Sequence, residues 1–260
     1  MEAGVKALLQ GALSPVQQEV AASEAALRKA EEEHESASLC SYALYAHTAI
    51  GFPAVVAGIA INRAEPVGLR QLALLLLQQY VRRHWTALSE QYVEGTIVPS
   101  EATKAAVRQS LIPNLADPTH RVRTVSAYVL AKIAYWDWPD HFPQLFPALV
   151  DCLKSGDANA VHGAMRCLSE FTSVITDQQI PVILPQLLPE LLHIATNPQL
   201  FSCRVRCRAI SVLRACLTSL YMLSETHKSQ VSAMVKQVTS QWLPAFTAIL
   251  CEHQCHFSVF

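Results

Sequence analysis

Cys251, His253, Cys255 and His256 place thiol and imidazole groups close together, the donor set that zinc prefers. Zinc sites pair their ligands two to four residues apart and separate the two pairs by a longer loop. This run lacks that pattern and is expected to hold no metal. Cys203 and Cys207 stand one helical turn apart with no histidine near them. Hydrolysis needs a nucleophile, a base and an orienting group brought together. No GxSxG or HExxH element occurs, and the ten histidines are dispersed. The 8 glycines never gather into a GxxxxGK or GxGxxG phosphate loop. The chain is therefore expected to be no enzyme and to use no cofactor.

The charged and aromatic residues lead to structure rather than chemistry. Twenty basic against twenty-one acidic residues give a net charge of -1, which leaves no positive field to hold nucleic acid. Arg121, Arg123, Arg204, Arg206 and Arg208 are too scattered to form a basic stripe. The Asp117 to Arg123 spacing instead suits a ladder between neighbouring helical units. Trp136, Trp138, Phe142 and Phe146 are expected to fill a tight corner between helices, with Pro139 opening the next one.

The 260 residues are 51% hydrophobic and 16% charged, a balance that specifies a buried core rather than disorder. Most of the eight cysteines fall inside apolar helical runs, which suits a reducing compartment, and Met1 to Lys6 do not begin a secretory signal. From Glu35 to Arg63 no charged residue intervenes, long enough in principle to cross a bilayer. Ser36, Ser38, Ser41, His47, Thr48, Gly51 and Pro53 interrupt it, so a buried helix preceded by a neutral loop is expected, with no membrane span.

These residues are positioned by a repeat. Two apolar residues or nearly so, a proline, any residue and another apolar residue recur at 51–55, 111–115, 145–149, 187–191 and 242–246. The prolines at 53, 113, 147, 189 and 244 are thus 60, 34, 42 and 55 residues apart, a spacing that fits helix-pair repeats of the HEAT and armadillo type. A second apolar run with helical spacing follows each copy but the last. Val122, Val125, Val129 and Ile133 line one stripe, with Thr124, Tyr128 and Lys132 turned elsewhere. Second helices are predicted at 66–84, 157–175 and 202–222, and a first pair at 5–13 and from Ser14-Pro15 to about 33. Strand alternation and Asn-Gly turns are nearly absent. The expected fold is all-α, a right-handed solenoid of about five and a half HEAT-type helix pairs whose second helices line an inner surface.

The run from Ala131 through Trp136-Asp137-Trp138-Pro139 to Phe142-Pro143-Gln144-Leu145-Phe146-Pro147 resembles the importin-β (karyopherin-β) family of nuclear transport receptors, in which an acidic-Trp-Pro element joins a second helix to the next first helix. Arg70-Gln71-Leu72-Ala73 through Gln78-Gln79-Tyr80-Val81 to His84-Trp85, and 155–172, are similar to the same family's N-terminal repeats. On this resemblance residues 1–250 form an N-terminal solenoid. Residues 34–48 are extra sequence between its first two units, and 251–260 an atypical tail. The open last half-unit suggests a fragment or shortened product.

The resemblance implies a receptor that shuttles between cytoplasm and nucleus, binds Ran-GTP, carries basic cargo such as core histones and ribosomal proteins, and meets phenylalanine-glycine nucleoporins. The alternatives are a HEAT scaffold of a cytosolic complex, or a truncated product without transport activity. Ran contacts are expected from exposed second-helix positions: Gln78, Arg82, Arg83, Tyr128, Lys132, Asn159, Glu170 and Ser173. A purified chain should give a strongly helical far-UV circular dichroism spectrum, with protease cutting first near 34–48 and after about 250. A sheet spectrum, or uniform cutting, contradicts the architecture.

Overall fold

The computed structural model describes residues 2–36, 51–94, 96, 98–172, 175, 179–223 and 228–257. Among them are eleven α-helices, one 3₁₀ helix and no strand. The chain divides into two compact units, residues 1–145 and 146–260.

The first unit contains three successive helix pairs: α1 (Glu2–Ala12) with α2 (Gln17–Ser36), α3 (Phe52–Ile61) with α4 (Val67–His84), and α5 (Glu101–Leu111) with α6 (His120–Asp137). First helices pack on first helices and second on second, α3 on α5 and α4 on α6, so each pair covers an apolar face its predecessor leaves open. Because α3 touches α1, α2, α4 and α5, it buries Phe52, Val56, Ala57, Ile59 and Ala60. That all-round cover accounts for the charge-free sequence there. No helix among the described residues is long and apolar enough to cross a membrane.

In the second unit α7 (Leu145–Lys154) leads to α8 (Ala158–Phe171), and α9 (Ile180–Thr196) packs on α10 (Cys203–Leu223). A final helix, α11 (Lys228–Phe257), packs on α9 and α10. Gly156, at φ +71, makes the left-handed turn between α7 and α8, a conformation that L side chains resist. Asp157 then caps α8, its Oδ1 accepting the Asn159 N–H at 2.9 Å. Ser100 does the same for α5 at Thr103.

Each recurrent proline belongs to a first helix or its end, but not at a fixed place. Pro53 lies in the first turn of α3, Pro113 in the 3₁₀ helix Ile112–Ala116 after α5, and Pro147 near the start of α7. Pro189 and Pro244 lie inside α9 and α11, where packing of the flanking residues outweighs the lost backbone donor. Pro139 does not open a helix. It follows Trp138 by a cis peptide, and α7 begins only at Leu145. The expected helix at 157–175 ends at Phe171. Residues 34–36 continue α2, 37–48 lie outside the described residues, and α11 runs on through Cys251 to Phe257.

Two buried carboxylates join α4 to α6. At one end, Arg70 in the first turn of α4 donates through Nε to the Ala60 carbonyl at 2.9 Å and through Nη2 to Asp117 Oδ2 at 2.5 Å. At the other end, Trp85 follows α4 and its indole N–H donates to Asp137 Oδ1 at 3.0 Å, while Arg108 of α5 donates to Oδ2 at 2.6 Å. Trp85, Asp117, Asp137, Arg70 and Arg108 are all buried. Removing one partner leaves buried donors unmatched, so Asp137→Ala should destabilise the chain by about 3–5 kcal/mol. Urea unfolding measures this, and a midpoint within error of the unmutated chain refutes the role given to Asp137.

Candidate functional site

The surface available to a partner is set by what the core leaves out. On α4 the apolar positions Leu69, Ala73, Leu74, Leu77, Tyr80 and Val81 are buried, and the remaining face carries Leu75, Gln79, Arg82 and Arg83 in the open. Gln78 is half-buried at its edge. On α6 the corresponding face carries Arg121, Val125, Tyr128, Lys132 and Tyr135. Arg121, Lys132 and Tyr135 are exposed, and Tyr128 is half-buried. Val125, expected in the buried stripe, is half-buried on this outer face.

The two ties across α4 and α6 therefore bring Gln78, Arg82 and Arg83 onto one helix beside Tyr128 and Lys132 on its neighbour. The surface combines four cations, Arg82, Arg83, Arg121 and Lys132, with two tyrosine rings at 128 and 135 and an exposed aliphatic side chain at Leu75. It suits a protein partner with a complementary acidic rim.

In the second unit, Asn159 and Glu170 lie with His162 and Arg166 along one half-buried stripe of α8. Arg166 Nη2 lies 3.8 Å from Glu170 Oε1, one helical turn away. Ser173 lies outside the described residues. A cavity of about 430 Å³ opens between the end of α7 and α9, lined by Leu153, Pro189, Leu200 and Phe201, with the His193 ring edge-on to Phe201 at 5.8 Å.

The ladder expected between Asp117 and Arg123 takes a different form. The Asp117 carboxylate pairs with Arg70 of the preceding helix pair, and the Arg63 guanidinium stands 3.8 Å away. Arg123 instead donates to the backbone carbonyls of Asp117 and Pro118. Arg206 repeats the arrangement of Arg70 in the second unit, its Nε donating to the Ala195 carbonyl at 2.8 Å. Arg70, Arg123 and Arg206 each occupy the fourth position of their second helix, a recurrence that the sequence carried and that identifies the inter-helix tie. Trp85 and Asp137 gave no comparable signal, because the two residues they join are far apart in the chain.

Of the corner aromatics, Phe142 and Phe146 are buried, while Trp136 and Trp138 are half-buried. Arg108 stacks 5.8 Å from the Phe142 ring centroid and Lys104 5.4 Å from that of Trp85. No metal-binding cluster occurs among the described residues, and the side chains of His253, Cys255 and His256 lie outside them.

Residues 44–117 match the description of an importin-beta N-terminal domain. Importin-9 of Drosophila melanogaster is 30% identical over 194 residues, covering 74% of this chain and 19% of that protein. Importin subunit beta-5 of Schizosaccharomyces pombe is 32% identical over 201 residues, 75% of this chain and 20% of that protein. The chain thus spans about a fifth of the length of these curated relatives. The backbone superposes on yeast importin-beta (Kap95p) and on a Kap95:Nup1 complex, in each case with a TM-score of 0.65 over 93% of this chain and 27% of that one, at 19% identity. A third Kap95p structure, described as switching the loops of RanGDP to the GTP-bound conformation, gives a TM-score of 0.62 over 100% of this chain and 29% of that one, also at 19% identity.

Burial acts to raise the Asp117 carboxyl, but hydrogen bonds from Arg70 and the Thr119 N–H, with the charges of Arg70 and Arg63, outweigh it and hold it below its ordinary value of 3.8. A depressed carboxyl contributes stability above its unfolded value and loses it as pH falls toward the folded one. The stability gap between the unmutated chain and Asp117→Asn should therefore be widest at neutral pH and narrow as pH falls from about 5 toward 2. Urea midpoints across that range measure it, and a gap independent of pH contradicts the assignment.

Proposed function

Since this chain belongs to the importin-β family of nuclear transport receptors, we propose that it binds Ran in its GTP-bound form through the second helices of its first unit. The observation that carries this reading is the paired face of α4 and α6, where Arg82, Arg83 and Lys132 stand exposed beside Gln78 and Tyr128. Kap95p, similar in backbone, is described as acting on the switch loops of Ran. For the second unit taken by itself, we propose that Asn159, Glu170 and Ser173 are the residues that contact Ran.

The mechanism is reciprocal binding. A partner that engages the second helices changes the affinity for any cargo sharing them by the same factor that cargo changes its own. Basic cargo, with core histones and ribosomal proteins as the implied classes, would meet acidic positions such as Glu170. The cleft lined by residues of α7, of α9 and of the segment after α9 is the place we assign to phenylalanine-glycine segments of nucleoporins, by analogy with the Kap95:Nup1 complex. Shuttling between cytoplasm and nucleus follows from these partners. The Phe201 ring and the side chains of Leu153, Pro189 and Leu200 would hold one phenyl group there, with Lys154, Glu190 and His193 also in the lining.

A pull-down with the purified chain should retain Ran loaded with a non-hydrolysable GTP analogue and release Ran-GDP. The charge reversals Arg82→Glu, Arg83→Glu and Lys132→Glu, combined, should weaken retention at least about tenfold, since each lost rim charge is worth up to roughly 1 kcal/mol. Equal retention of both nucleotide forms contradicts the proposal.

A further inference from the structure

Cys203 and Cys207 are the first and fifth residues of α10, both exposed, with their sulfurs 3.8 Å apart. No other thiol pair is in hydrogen-bond contact among the described residues. Cys167 and Cys216 are buried, and burial pushes the Cys216 thiol up to about 11 and that of Cys167 further still. Cys152 is half-buried and likewise raised, by burial first and then by the charges of Asp151 and Asp157. Cys251 is exposed but not paired with another described cysteine. The neighbouring pair is thus the accessible dithiol of the described surface. A metal would need further ligands, and none of the described Cys, His, Asp or Glu residues gathers with these two to supply them.

We propose that Cys203 and Cys207 form an oxidant-sensitive dithiol that closes to an intrahelical disulfide and unwinds the first turn of α10. The oxidant class is a peroxide. One thiolate attacks the O–O bond and becomes a sulfenic acid, releasing the first water. The second thiolate attacks that sulfur, forming the S–S bond and expelling the hydroxyl as the second water. Two thiols and one hydrogen peroxide give one disulfide and two waters, each sulfur losing one electron and each peroxide oxygen gaining one.

Geometry supplies the switch. Residues four apart on a helix hold their Cβ atoms about 5–6 Å apart, whereas a disulfide needs about 3.5–4.5 Å. The sulfurs are near enough to react, but the bridge requires the turn between them to deform. That turn contains the buried Val205 and the half-buried Arg206, whose Nε holds the Ala195 carbonyl at the end of α9. Closing the disulfide therefore loosens the tie between α9 and α10 and disturbs the exposed stripe that continues through Ser211, Arg214 and Thr218. The hydrogen bond between the sulfurs is the main reason the Cys207 thiol stands above its usual range, followed by burial and the Cys203 charge, with Arg206 opposing. Cys207 therefore suits the resolving role better than the first attack.

The test treats the full 260-residue chain with hydrogen peroxide, blocks remaining thiols with iodoacetamide and maps non-reduced chymotryptic peptides, since trypsin would cut at Arg204 and Arg206 between the two cysteines. The peptide carrying both should lose two hydrogens, with the Cys203 sulfenic acid captured by Cys207 at least about tenfold faster than the Cys251 sulfenic acid is captured by any thiol, because the closing step is intramolecular. Amide hydrogen exchange over 203–207 should accelerate in the oxidised chain and stay unchanged in peroxide-treated Cys207→Ser. A sulfenic acid that accumulates on Cys203 as it does on Cys251, or bridging to another cysteine, overturns the dithiol. A bridge that leaves exchange over 203–207 unchanged overturns the switch.

Discussion

Buried carboxylates determine how one helix pair follows the next in the first unit. Asp117 and Asp137 flank α6 at its two ends, and each draws its partners from the preceding helix pair or from α5: Arg70 for the first, Trp85 and Arg108 for the second. Apolar packing between α4 and α6 would by itself permit sliding by a turn, since one leucine replaces another at little cost. A buried carboxylate does not slide, because any other register leaves a charged group without its donors in a region that excludes water. The apolar core supplies most of the stability, and these polar contacts select one arrangement of it.

That selection has a functional consequence on the opposite face of the same helices. Arg82 and Arg83 lie a turn or less before Trp85, and Lys132 lies a little more than a turn before Asp137, so fixing the buried ends also fixes the spacing of the exposed cations. A partner that recognises charges across two helices depends on this spacing more than on any single side chain. In the second unit Arg206 holds the end of α9 through the Ala195 carbonyl, the contact that Arg70 makes with Ala60 in the first.

Much of this was legible in the amino-acid order. Helical periodicity and recurrent proline motifs gave the helix pairs, and the second helices at 67–84, 120–137 and 203–223 fall close to the spans that apolar spacing predicts. The precise role of each proline was not legible, because packing around Pro189 and Pro244 overrides the local tendency of proline to end a helix. Pro139 misled for a related reason: a residue suited to a helix start also suits a tight corner. The partner of Asp117 escaped prediction because Arg123 is near in sequence whereas Arg70 is near in space. Positions such as Arg82 and Lys132 were recoverable by elimination, since whatever the core does not use is left outside.

The central claim is that the ties between α4 and α6 present one composite face to Ran. Amide hydrogen exchange with and without Ran-GTP tests it most directly. The account predicts that slowed exchange on binding concentrates in peptides spanning 78–83 and 128–132 together, with α3 and α5 unaffected. Protection confined to first helices, or to one of the two segments alone, would contradict it.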